Sequence, residues 1–206
     1  MSALSYLDRV IPLAEPPAAD AFHFLRHGRT DHNLRRIVQG HMDIPLDDTG
    51  RAEASAAAEL LAAASIRSIV SSDLARTRET AERIGARLGL TPHLDPDLRE
   101  RCFGPYEGQP APADLWGCAA DGMETIEDFA ARIGTALCRH GDGPGVLIVA
   151  HGGVLRVAAR LLQAELPAEA LRNAAPLLFS RLGDAWTIAD LAQLAATQTD
   201  IMEPLS

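Results

Sequence analysis

The stretch Val146-Leu147-Ile148-Val149-Ala150-His151-Gly152-Gly153-Val154-Leu155-Arg156 decides how the chain is read. Its first five residues are all apolar and leave no face for water, the pattern of a parallel strand covered by helices on both sides. His151-Gly152-Gly153 ends the strand, and VLRVAARLLQA then resumes helical spacing. The histidine therefore falls at the carboxyl end of a sheet strand, where ligands gather in open α/β sheets. The unpaired N–H groups and positive dipole end of the helix that follows favour an anion such as phosphate.

Working outward, Ala21 to His27 (AFHFLRH) is a second apolar run that stops at Gly28, a strand ending in a turn. Thr49 is placed to cap a helix through RAEASAAAELLAAA, where alanine, glutamate and leucine raise helix propensity. Ile66 to Val70 reads as a strand closed by the cap cluster Ser71-Ser72-Asp73. Leu74, Thr77, Ala81, Ile84 and Leu88 recur at helical steps toward Gly89, with Arg76 in the first turn and off that face. Thr91 to about Met123 is rich in Pro, Gly and Asp and predicts a functional loop region with short elements. A helix fits Thr125 to His140, and LLFSRL and AWTIADL around Gly183-Asp184 predict a hairpin. Alternating strands and helices give an α/β fold, a three-layer αβα sandwich with a mostly parallel central sheet.

The chain has 206 residues, 47% hydrophobic and 23% charged, which suits one core. Residues 1–20, with three prolines and no sustained apolar run, read as a mobile leader, and 21–206 as a single domain. A net charge of -9 opposes the broad positive surface that nucleic acid or an anionic membrane requires, so neither is an expected partner. A small anionic metabolite remains compatible, because screening over about 8 Å lets local arginines outweigh distant acids. Cys102, Cys118 and Cys138 are odd in number and show no CxxC spacing, which points to a reducing, cytoplasmic setting without a disulfide framework or zinc site.

Two strands thus end in histidine followed by glycine, at His27 and His151, and a third delivers Arg76 to the same edge. Arginine's rigid fork matches phosphate oxygens and stays charged at working pH. Arg26 and Arg76 meeting two histidines make a pocket for a dianion. Side chains alternate along a strand, so the strand must end or turn between Arg26 and His27 for both to reach one phosphate, which Gly28 would ease. Alone, His27 reads as a strand-end histidine satisfied by backbone, Arg76 as a solvated charge, and His151 as structural; it is their surroundings that favour chemistry. His23, His32, His41, His93 and His140 have no such context, and His32 with Asp31 and His41 fits no ligand spacing, so no metal or other cofactor is expected.

These residues resemble the histidine phosphatase, or phosphoglycerate mutase-like, superfamily. Its signature RHGxTxxN is matched by Arg26, His27, Gly28, Thr30 and Asn33; QGHMDIPLDDTG, SSDLARTRET, DLRERCFGPYEG and VLIVAHGGVLR resemble its later blocks in the right order. The resemblance spans roughly Phe22 to Ala159. It implies a metal-independent phosphomonoesterase of the histidine acid phosphatase type. His27 would be the nucleophile, Arg26, Arg76 and His151 phosphoryl ligands, and Glu100 the proton donor. Thr30, Asn33, Gln39, Gly40 and Gly152 would join the binding set. The chemistry agrees: an imidazole lone pair splits one displacement into two, and fixed cations stabilise charge on the transferring group. Asp95, Asp97 and Glu107 share the acidic loop of Glu100, and the resemblance of the block singles out Glu100 among them.

Two positions depart from the family pattern. Arg29 stands where the mutases commonly carry glutamate, and His32 where tryptophan is frequent. With Arg35 and Arg36 they suggest a basic rim for a second anionic group on the substrate, so that Arg29→Ala would raise the KM of such a substrate alone. Only Gln109 to Gly122 separates the acid-bearing block from the next helix, a shorter lid than the mutases usually carry, which places hydrolysis ahead of mutase activity. The alternatives are a phosphoglycerate mutase-type isomerase, a protein phosphohistidine phosphatase and an idle binding module. The apolar tail after Leu191 could dock on a second copy, making a homodimer, or pack within one chain.

Overall fold

A computed structural model describes residues 7, 10, 12–13, 15–143 and 145–201, the last five by backbone alone. Six strands form one sheet: β1 (Ala21–Arg26), β2 (Ser68–Ser71), β3 (His93–Leu94), β4 (Val146–Ala150), β5 (Pro176–Leu182) and β6 (Ala185–Asp190). Their order is β3-β2-β4-β1-β5-β6. The first four run parallel, whereas β5 pairs antiparallel with β1 and β6 with β5.

Alternation along the strands builds the three layers. Leu147 and Val149 of β4, with Leu25 and Ile69, meet Ala57, Ala58, Leu61, Ala81 and Ile84 of α2 (Asp48–Leu61) and α3 (Ala75–Leu88), which follow a short α1 (Asp31–Arg35). Val146, Ile148 and Ala150 face the other way, with Phe22, Phe24 and Val70, toward Phe129, Ile133 and Leu137 of α4 (Ile126–His140) and Val154 and Leu155 of α5 (Gly152–Leu161). Each such side chain taken fully from water contributes about 1.5–3 kcal/mol. The continuous apolar run in β4 is thus required by cover on both faces, and the αβα sandwich is the fold observed.

Local signals account for most boundaries. Thr125 caps α4 through the Asp128 N–H, and Gly89 in the left-handed region ends α3. Two caps differ from expectation. Asp47, not Thr49, caps α2, its carboxylate accepting from Gly50 N. No side chain of the Ser71-Ser72-Asp73 cluster caps α3; instead Asp43 Oδ1 accepts from Ala75 N at 2.5 Å. An acid brought from a distant loop replaces the local cap, which no local pattern encodes.

The segment before residue 21 is not simply a mobile leader. Leu7 and Val10 are buried in the α4/α5 cluster, Leu13 N donates to Leu161 O at 3.0 Å, and Arg160 Nε donates to Leu7 O. Three apolar residues spaced by three gain a face to bury against. At the other end α6 (Leu191–Ile201) begins with Leu191 packed against the α2/α3 cluster. No helix among the described residues is long and apolar enough to cross a membrane.

Phe129 is fully buried, beside Trp116 at a ring separation of 6.3 Å. Phe129→Ala should cost about 3–5 kcal/mol, read as a lowered urea midpoint with an unchanged slope. A loss under about 1 kcal/mol would contradict its central place in this layer.

Candidate active site

Parallel pairing sets the centre of the site. Leu25 lies opposite Val149 and Arg26 opposite Ala150, so the next residue on each strand, His27 and His151, emerge side by side with ring centroids 5.3 Å apart. β1 ends at Arg26, as two roles for neighbouring residues require, although His27 N still donates to Ala150 O. Gly28 serves close approach rather than a left-handed turn: a Cβ there would lie 2.4 Å from Gly50 O, where the loop crosses the start of α2.

His27 Nδ1 lies 2.7 Å from Gly28 O. A carbonyl only accepts, so Nδ1 carries the proton and Nε2 keeps its lone pair. The loop is held by Asn173 Nδ2, which donates to His27 O, and by Thr80 Oγ1, which accepts from Gly28 N and donates to Arg76 O. His151 Nδ1 accepts from Arg76 Nε at 3.3 Å, so its Nε2 carries the proton, toward Ser72 Oγ at 3.0 Å. Burial, then the Arg76 charge, pushes both histidines well below the ordinary histidine range. Both are neutral at working pH.

The arginines approach from opposite faces of the sheet. Arg26 points to the α5 side, where Nη1 donates to Leu171 O and Nε is buried without a hydrogen-bond partner. A Cβ on Gly152 would lie 3.4 Å from that Nε. Arg76 comes from α3 on the other side. It is not a solvated first-turn charge but is 1% exposed, donating to Gly40 O at 2.7 Å and Met42 O at 2.8 Å. Burial lowers it to about 10, against the pull of Glu100, Asp43 and Glu107, so it remains a cation near neutrality.

Glu100 sits at the start of α5: Oε2 accepts from Gly153 N at 2.9 Å and Oε1 from Arg101 N at 3.0 Å. Gly153 is needed there, because a Cβ would fall 2.0 Å from Oε1. A pocket of about 120 Å³ gathers His27, Arg26, Arg76 and Glu100 with Asn33, Gln39, Gly40 and Gly152, and adds Val38, Phe103 and Leu115. A larger apolar hollow of about 540 Å³ beside Val10, Leu13 and Gly134 lies away from the histidines.

Some expected residues stand apart from that pocket. His151 lies behind Arg76 and orients it. Thr30 is buried beneath the wall, capping α1 and donating to Gln39 Oε1. Arg29 does not line that pocket, and its fork is engaged by local groups: Nε pairs with Asp47 at 2.8 Å and Nη2 donates to Thr49, while Arg35 pairs with Asp31. Two of the rim's arginines are thus paired with local acids. Sequence reasoning missed Ser72, Thr80, Asn173 and His41, whose Nε2 donates to Glu100 O. Thr80 had a local signal, four residues after Arg76 on one helix face, as did His41 beside Gln39 and Gly40 and Ser72 at the end of its strand; Asn173 had none. Among the described residues no group of three or more His, Cys, Asp or Glu is placed to hold a metal ion.

Arg29→Ala should therefore lower stability by roughly 1 kcal/mol through loss of a half-exposed pair, with the same KM change, if any, for mono- and dianionic substrates. A KM rise confined to substrates with a second anionic group would restore the rim reading.

The neutral histidines also fix a pH dependence. Above pH 6.5 neither state protonates and they contribute nothing; below it the unfolded chain takes up protons that the folded chain refuses, so stability falls as pH falls. Asp73, lowered by its hydrogen bond to Arg99, acts with the same sign but in a more acidic range. Between pH 7 and 5, His27→Asn should lose about 2 kcal/mol less stability than the native chain in denaturant titrations. Equal losses would mean that folded His27 accepts a proton.

The histidine phosphatase superfamily (branch 1) model matches residues 22–190. Phosphoglycerate mutase-like protein 4 of Arabidopsis thaliana is 34% identical over 202 residues, 84% of this chain and 86% of that protein. Agropine synthesis reductase of Rhizobium rhizogenes is 37% identical over 197 residues, 90% of this chain; the chain spans only 44% of that relative's length. A mycobacterial glucosyl-3-phosphoglycerate phosphatase in complex with VO3 superposes with a TM-score of 0.69 at 31% identity, covering 82% of this chain and 97% of that one. Sequence family, fold and the arrangement around His27 agree: the chain belongs to the histidine phosphatase superfamily.

Proposed function

We propose that the chain is a phosphatase that hydrolyses a small phosphomonoester through a phosphohistidine on His27, with Glu100 as proton donor. The observation that carries this reading is a buried imidazole whose Nε2 is unprotonated, set between two arginines of which one, Arg26, holds a donor with no partner. Such a site is incomplete without an anion.

In the first step the Nε2 lone pair attacks phosphorus and the P–O bond to the leaving group breaks. The leaving oxygen takes the proton of the Glu100 carboxyl and departs as an alcohol. In the second step water attacks phosphorus, Glu100 carboxylate takes its proton, and the P–N bond returns its electrons to Nε2. Phosphate leaves and the starting protonation is restored. Arg26 and Arg76 offset charge on the equatorial oxygens in both steps, fixed cations that need no reorganisation. Donation from Nδ1 to Gly28 O stabilises the phosphorylated imidazole.

Water as acceptor is supported by the short covering segment. Between residues 109 and 122 lies one 3-10 turn, Leu115–Gly117, pinned by Trp116 against Phe103 and Phe129. Apolar Phe103 and Leu115 face the pocket, so a substrate with a compact organic group beside its phosphate fits best. The phosphatase name of the mycobacterial relative points the same way.

Phosphate release from p-nitrophenyl phosphate and a metabolite panel, with chelator present, tests the proposal. The native chain should turn over, and His27→Ala should lose at least about a thousandfold, as removal of a covalent nucleophile does. Chelator-sensitive turnover, or an active His27→Ala, would refute it.

A further inference from the structure

We propose that Arg132, on α4 and outside the pocket, is a positioning residue that fixes where the Glu100 carboxyl meets the leaving oxygen; this rests on the phosphatase reading above. Arg132 Nη1 donates to Asp97 O at 2.7 Å and Arg99 O at 3.0 Å. Its Nη2 donates to Glu100 O at 3.3 Å and Glu124 Oε2 at 2.7 Å, and Nε donates to Glu124 Oε1 at 2.9 Å. All five N–H donors of the guanidinium are spent, three of them on carbonyls of the segment that carries the proton donor.

Glu124 completes the clamp from the other side of that segment. Its Oε2 accepts from Cys102 N, its N donates to Cys102 O, and its carbonyl accepts from Arg101 Nε. Residues 99–102 belong to no helix or strand, so their backbone placement depends on these bonds rather than on a ladder. His41 Nε2 also donates to Glu100 O, but only the Arg132 fork reaches Asp97, Arg99, Glu100 and Glu124 at once, and lysine, with three donors from one point, has too few and wrongly directed donors for five acceptors. The other end of Glu100 is already held by Gly153 N and Arg101 N. Loosening the backbone while the carboxylate stays tethered tilts the carboxyl away from the leaving oxygen without emptying the pocket.

A misplaced proton donor has a signature that general destabilisation lacks. Nitrophenolate leaves without protonation, whereas an alkoxide does not. The experiment compares kcat/KM for p-nitrophenyl phosphate and glycerol phosphate, and its pH profile, in the native chain, Arg132→Lys, Glu124→Gln and Glu100→Gln. Arg132→Lys should keep the nitrophenyl reaction within about threefold and lose roughly a hundredfold on the alkyl ester, with the alkaline limb flattened as in Glu100→Gln. Combining Arg132→Lys with Glu100→Gln should add no further loss on the alkyl ester. Parallel loss on both substrates, or additive losses in the double variant, would overturn the proposal. Should Arg132→Lys fail to fold, Glu124→Gln, which retains the arginine but weakens its clamp, decides by the same ratio. Inactivity of the native chain on both esters removes the phosphatase reading itself, whereas an active native chain with an unchanged ratio removes Arg132's role alone.

Discussion

Pairing of β1 with β4 is the constraint on which the site depends. The two strands run parallel in the centre of the sheet, and their register brings two histidines to the same edge one step beyond the last paired residues. Everything else is arranged around that edge. The faces of both strands are filled by apolar side chains from two helix layers, so neither strand can slip by a residue without turning its whole core set to the wrong side. Catalytic geometry is thus protected by the same packing that stabilises the domain.

Electrostatically the site is held in an unfavourable state. Arg76 is buried and Arg26 half-buried, and among the described residues no carboxylate pairs directly with either; backbone carbonyls of Gly40, Met42 and Leu171 supply their partners. Burying a cation without a directly paired carboxylate costs several kcal/mol, and the two histidines are kept neutral first by their own burial and then by the neighbouring arginine charge. In the proposed mechanism that neutrality leaves a lone pair for phosphorus. There the stabilisation that the site lacks is what a phosphoryl dianion would bring, so affinity for the transferring group and reactivity of His27 would share one physical origin.

Much of this was legible in the sequence. The unbroken apolar run of β4 required two covered faces, and the two histidine-glycine strand ends required a common edge; both readings follow from periodicities that act locally. The residues that were misread depend on contacts across the fold. Arg29 looked like a substrate ligand because nothing in its neighbourhood shows that Asp47 and Thr49 fold back onto it. Arg76 was placed at the site but off the buried face of α3, because that face was defined by apolar residues, whereas its burial rests on carbonyls from residues 40 and 42. Asn173 carries no local mark, since it reaches the site from a distant loop, whereas His41 was passed over although it directly follows Gln39 and Gly40. Leu7 and Val10 were overlooked because a short segment has little periodicity to read.

The distance in sequence between His27 and His151 has a consequence for how the protein folds. All of α1 to α4, with β2 and β3, lies between their strands in the chain, so the pairing that builds the site is a contact of high sequence separation. Partly folded chains, including one emerging during synthesis before β4 is made, contain His27 but not the pocket. If the pocket takes phosphate as proposed, inorganic phosphate distinguishes the finished molecule from all its precursors: it slows unfolding without speeding refolding, unless β1 and β4 already pair at the transition state.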